Sequence, residues 1–207
     1  MYPLQAEDLA ELCKADELAL KAQLKSSTAD ASRVCLALVP DANTIRWHHA
    51  REEFLAQELF NRWPDMKGAI AQRSAGERVW GIWTRTFGSE ENTLNILRLV
   101  IEDEDVSCET SDEFAAVDTS SEASKKHILA AASVIRSACY EAAEWGMDNV
   151  QFWNPTPITI QAARKIKPSA KIIDRTDDSI ASLRWHGPRL DSRCKLRWVG
   201  NQKYGWC

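Results

Sequence analysis

Asn95-Ile-Leu-Arg-Leu-Val-Ile101 and Val150-Gln-Phe-Trp-Asn154 bracket the stretch whose reading decides the fold. The first segment is apolar and β-branched between turn-type and charged residues, which predicts a largely buried strand. Ser124 to Trp145 then places Ile128, Ala131, Ile135, Ala138, Ala142 and Trp145 at helical spacing. Thr119 followed by Glu122 has the form of a capping box, and Gly146 supplies a stop. The second segment predicts another strand, ended by Pro155-Thr-Pro157. Strand, crossover helix and strand imply two parallel strands with a right-handed connection.

Around this unit the chain reads in order. Leu4 to Lys25 is a helix, Arg33 to Val39 a strand, and Thr44 to Trp63 a second helix whose apolar side is Trp47, Phe54, Leu55, Leu59 and Phe60. Gly68 to Gln72 and Arg78 to Phe87 are strands joined by a hairpin at Ser74-Ala-Gly76. After Pro157, Ile158 to Ile166 is a short helix. Lys171 to Asp174 and Ser179 to Trp185 pair as a late hairpin, and the tail from Lys195 to Cys207 is a final strand. Trp80, Trp83, Trp153 and Trp185 alternate with polar neighbours, as core or as a pocket lining.

The 207 residues suit one α/β domain with ample core. No apolar run approaches the roughly 18 residues a membrane helix needs. The N-terminus carries acids early and no basic region, so no signal peptide is expected, and the six scattered cysteines are expected to be reduced thiols in a cytoplasmic protein. Glu102 to Ala123 holds nine acids and no Lys or Arg. Net charge is −4, so the remainder of the chain stands at +5. No basic stripe results, which argues against a nucleic-acid partner. The acidic loop itself reads as a solvated segment.

The order of elements, with Leu97-Arg-Leu-Val-Ile101 and Val150-Gln-Phe-Trp-Asn154 in place, resembles the GNAT acyltransferase fold: a mixed twisted sheet with helices on both faces. Thr44-Ile-Arg-Trp-His-His-Ala-Arg-Glu-Glu-Phe54, Asn92-Thr-Leu-Asn-Ile-Leu-Arg-Leu-Val-Ile101, Ser179-Ile-Ala-Ser-Leu-Arg-Trp185 and Lys203-Tyr-Gly-Trp-Cys207 are similar to the C-terminal half of fungal lysine N-acetyltransferase-like proteins. The resemblance covers nearly all of residues 1–207 as a single domain. It implies a fourth and fifth strand that splay apart, with the backbone near Val100 and the side chain of Asn154 facing acetyl-CoA. It also implies a base at Glu102 and a general acid at Tyr204. The family's pyrophosphate loop is Gln/Arg-x-x-Gly-x-Gly/Ala, whose glycines let backbone N–H groups approach phosphate. Here that position is the acidic loop 102–123, without a glycine. A polyanion would meet like charge, so a degenerate CoA site is expected, with acetyl-CoA the one cofactor in view.

Trp47-His-His-Ala-Arg-Glu-Glu53 concentrates proton-handling side chains. His48 and Glu52, like His49 and Glu53, are four apart and share helix faces. They read as a His–carboxylate acid/base pair or as a helix surface laced with ion pairs. A metal site there needs further ligands, and none is expected. Trp47, Arg51, Trp83, Trp153 and Trp185 are candidate pocket residues. Arg98, inside an apolar strand, needs a partner: a substrate carboxylate or an internal Glu. Three functions follow. The first is acyl transfer to an amine of a small, lysine-like molecule. The second is a CoA-independent reaction on a small molecule in fungal specialised metabolism. The third is a non-catalytic companion domain. Homo-oligomer and partner protein both stay open.

Overall fold

The computed structural model describes residues 1–26, 33–71, 77–102, 121–174, Ser182, Arg184, His186 and 195–206. The elements are β1 (Tyr2–Leu4), α1 (Leu9–Ser26), β2 (Arg33–Leu36), α2 (Ala42–Phe60), β3 (Gly68–Ala71), β4 (Val79–Phe87) and β5 (Asn92–Ile101). They continue with α3 (Glu122–Glu144), β6 (Asn149–Phe152), α4 (Pro157–Ile166), β7 (Lys195–Trp198) and a 3-10 turn (Lys203–Gly205). Five strands form one mixed sheet in the order β1-β3-β4-β5-β6. Only β5 and β6 run parallel in it, as the strand–helix–strand stretch requires. β2 and β7 make a separate parallel pair.

Helices cover both faces. One core packs α3 and α4 on the sheet through residues such as Val134, Ala138, Ile158, Trp83 and Ile96. The other packs α1 and α2 on the opposite face through Leu9, Leu12, Ile45, Trp80 and Leu97. Helix starts are locally encoded. Asp41 caps α2 through Asn43 N–H and Thr44 N–H, and Thr156 caps α4 with Pro157 in its first turn. Gly68 lies so close to β4 that a Cβ would overlap the Gly81 carbonyl.

A β-bulge sets the shape of the sheet. Ile82 pairs with Arg98 but Trp83 pairs with Ile96, so Leu97 is the extra residue on β5. The bulge reverses the alternation: Leu94 and Ile96, then Leu99 and Ile101, face the same core. Pairing with β6 stops at Ile96, where the bulge falls. β6 itself ends there, at Phe152, while β5 continues to Ile101.

Several expectations change. A short strand, β1, precedes the first helix. The cap of α3 is Ser121, whose hydroxyl accepts from Ser124 N–H; Thr119, like most of the acidic loop and the hairpin at 74–76, lies outside the described residues. Lys171 to Asp174 is not a strand, and most of the segment from Ser179 to Trp185 lies outside the described residues. Cys35 is disulfide-bonded, which corrects the reading of reduced thiols throughout; Cys13 and Cys139 are free. Distance along the sequence carries no information on which thiols approach each other. Among the described residues no helix is long and apolar enough to cross a membrane.

The largest change is at α2. Its buried residues are Ile45, His48, His49, Glu52 and Ala56. Trp47, Phe54, Leu59 and Phe60, read as the core side, are exposed. The helix turns polar side chains inward because each finds a partner there.

Candidate functional site

Beyond Ile96 the outer edge of β5 has no strand beside it among the described residues, and segment 199–206 lies against it. Leu99 N–H donates to Gln202 Oε1 at 3.0 Å, and Gln202 Nε2 donates to Leu99 O at 3.4 Å. Asn154, held at φ 49°, donates from Nδ2 to Asn201 O. Trp206 Nε1 donates to Asn201 Oδ1 at 2.8 Å, and the Lys203 ammonium sits 4.5 Å over the Trp153 ring. Gly200, at φ 59°, leaves room for Arg98: a Cβ would approach its guanidinium to 3.2 Å.

A second feature is an open cavity of about 340 Å³ at the start of α2, lined by Asn43, Thr44, Trp47, His48, Tyr204 and Trp206 among others. His48 Nε2 is 2.9 Å from Tyr204 O. A carbonyl only accepts, so Nε2 carries the hydrogen and Nδ1 is left as the acceptor. Burial holds the His48 imidazole below its usual pKa, the Tyr204 carbonyl opposes this, and the charges of Lys203 and Arg51 push further down. Trp47 meets the imidazole edge-on at 5.0 Å.

His49 is not at this cavity. Its Nε2–H donates to Trp83 O at 2.9 Å. Burial, then the nearby Lys67 ammonium, pushes its pKa down to about 4. Glu52 lies deeper still. Its Oε1 accepts from Arg85 N–H at 2.7 Å and Arg85 Nη1 at 2.6 Å, and its Oε2 from Lys67 Nζ at 3.3 Å. Burial raises the Glu52 pKa while Arg85 and Lys67 oppose. Lys67 also pairs with Glu53 at 2.7 Å, and Arg85 with Glu141 of α3. Neither histidine meets the carboxylate four residues on.

The other candidates are equally committed. Glu102 takes both of its oxygens to Arg78 Nε at 2.9 Å and accepts from Trp80 Nε1 at 3.3 Å. Arg98 is bidentate on Asp16 of α1, at 2.8 and 2.7 Å. The Tyr204 hydroxyl donates to Leu38 O at 2.5 Å and lies 3.2 Å from Gly200 O; burial pushes its pKa up to about 12. Trp83 is fully buried in the sheet core. Val100 is partly buried on β5, and Trp185 lies outside the described residues. Of the predicted residues, the fold gathers Trp47, His48 and Tyr204 at one cavity, and Trp153 and Asn154 against the tail. Among the described residues no three His, Cys, Asp or Glu side chains gather as a metal site.

The family described as LYC1 GNAT-like C-terminal domain matches residues 1–207. This chain belongs to that family. No curated protein matches it. Two solved structures are similar, an engineered variant and the wild type of TTHA1254 from Thermus thermophilus. The variant is 12% identical, covers 72% of this chain and 82% of its own, and has a TM-score of 0.37. The wild type is 11% identical, covers 59% and 73%, and has a TM-score of 0.34.

Reading the sequence missed four residues that organise this GNAT-like domain: Asp16, Lys67, Arg85 and Gln202. Arg85 was findable, since like Arg98 it interrupts an apolar strand and so requires a buried anion. Gln202 sits between Asn201 and Lys203, and Lys67 sits in a loop just before a strand, so neither carries such a signal. Asp16 looks like any acid of an exposed helix face until α1 packs over β5.

Proposed function

We propose that this GNAT-like domain is a non-catalytic companion domain, whose own acyl-CoA cleft is filled by its tail. The observation that carries the reading is Gln202 on Leu99. In the GNAT enzymes this chain resembles, the backbone of this strand holds the pantetheine arm. Here a side-chain amide of the same chain meets both backbone groups of Leu99. An incoming amide would have to displace it, and the acidic stretch from Glu102 disfavours a polyanion at the next step.

The residues a catalytic reading needs support the same view. A base must have an available lone pair and a path to substrate. Glu102 is spent on Arg78 and Glu52 on Arg85 and Lys67, while His49 keeps Nδ1 as an acceptor but is buried away from the cavity, so it lacks the path to substrate. Acyl transfer to a lysine-like amine would therefore need rearrangement of the tail. Calorimetry with acetyl-CoA tests the reading: no heat is expected at millimolar cofactor. Saturable binding of acetyl-CoA, or acetyl transfer to lysine by the purified chain, would overturn it.

A CoA-independent reaction is favoured by one observation, the neutral His48 imidazole beside two indoles at an open cavity. That reading requires His48→Ala to abolish turnover of a small molecule that the purified chain converts. Unchanged turnover would exclude it.

A further inference from the structure

The outer face of α2 carries a line of four residues, Trp47, Arg51, Phe54 and Glu58. At 3.6 residues per turn they fall within about 60° of one another. They point away from the buried face that holds Ile45, Glu52 and Ala56. Trp47 is 49% and Phe54 65% exposed, and Arg51 and Glu58 are exposed. Arg51 and Glu58 lie two turns apart, roughly 10 Å, too far to pair along one helix. Neither forms an ion pair with another described residue. An apolar pair alternating with one unpaired cation and one unpaired anion is self-complementary under a twofold axis.

The geometry points to a second copy of this chain as the occupant of this face, with the two α2 helices antiparallel. A dyad between Phe54 and Leu55 sets Arg51 and Glu58 at equal distances on either side, about 5 Å along the axis. Arg51 of each copy then faces Glu58 of the other, twice over, and Phe54 packs on Phe54 across the axis. Such isologous contacts are the commonest way soluble chains pair. Trp47 lies beside the C-terminal end of the opposite helix, past which Trp63 is 56% exposed.

With about 200 Å² for a whole aromatic side chain, the exposed parts of Trp47, Phe54 and Trp63 come to on the order of 300 Å² per copy. The rest of the roughly 800 Å² each partner gives to a standard interface falls to Arg51, Glu58 and the neighbouring exposed side chains of α2. Exposed Trp and Arg are also the residue types that concentrate binding energy in interfaces. The pairing is independent of the companion-domain reading, since it concerns neither the cleft nor Gln202.

Sedimentation velocity over a concentration series tests it. The expected species has twice the 23.4 kDa mass of the chain. Phe54→Glu and Arg51→Glu should each shift it to the single-chain mass, with an unchanged circular dichroism spectrum because both sites are exposed. Adding Glu58→Arg to Arg51→Glu exchanges the charges and should restore the dimer. A single-chain mass at every concentration overturns the proposal, whether the face is free or awaits a different protein. So does a dimer that survives Phe54→Glu, or a double variant that stays monomeric.

Discussion

Gln202 meets both backbone groups of Leu99, accepting from its N–H at 3.0 Å and donating to its carbonyl at 3.4 Å. One side chain thereby bonds the edge of β5 beyond Ile96, where pairing with β6 has ended. Gln202→Ala leaves a part-buried N–H without its partner. The expected loss is about 1–2 kcal/mol, read from the urea midpoint. A variant within a few tenths of the parent would mean that other contacts, such as Tyr204 on Leu38 O and Asn154 on Asn201 O, hold the tail.

Arg98 and Asp16 form a buried bidentate pair between β5 and α1. Asp16→Ala strands a buried cation and should cost about 3–5 kcal/mol. Replacing both partners, Asp16→Leu with Arg98→Met, should recover much of that loss, because no charge is left unpaired. A double-mutant cycle in denaturant measures the coupling. Additive losses would show that the two side chains act separately.

The two glutamates proposed as catalytic from the sequence differ in surroundings, and their substitutions should rank accordingly. Glu52 is completely buried against Arg85 and Lys67. Glu52→Gln should destabilise by about 3–5 kcal/mol. Glu102 and Arg78 keep 18% and 29% of their side chains exposed. Solvent screens that pair, so Glu102→Gln should cost at most about 1 kcal/mol. Thermal unfolding of both variants side by side tests the order.

Stability should fall as the medium is acidified through the histidine range. His49 has a folded pKa of about 4 against about 6.5 in an unfolded chain. The fold therefore favours the neutral ring. Its contribution is fully present above about pH 6.5 and is lost as pH falls toward 4, at about 1.4 kcal/mol per unit and ~3 kcal/mol in all. His48 shifts in the same direction. Urea unfolding across that window, for the parent and for His49→Gln, is the check. The variant should start less stable and show the shallower slope. Equal slopes would assign the acid sensitivity elsewhere.

Sequence by itself determined the strand–helix–strand unit and the parallel pairing of β5 with β6, while helices on both faces were implied by the resemblance to the GNAT fold. Periodicity and caps act within a few residues, so they are readable one segment at a time. It also determined that Arg98 must have an anionic partner, because burial of a lone cation is prohibitive. Tertiary structure alone decided that the partner is Asp16, 82 residues away. It alone placed the bulge at Leu97, which depends on register against β4. It reversed the inner face of α2, where apolar spacing pointed one way and the fold took the other. Hydrophobic periodicity finds a helix's buried side only when the polar side has nothing to gain inside. Here Arg85, Lys67, Trp83 O and Tyr204 O, none of them in α2, bond the polar side chains that the sheet accepts.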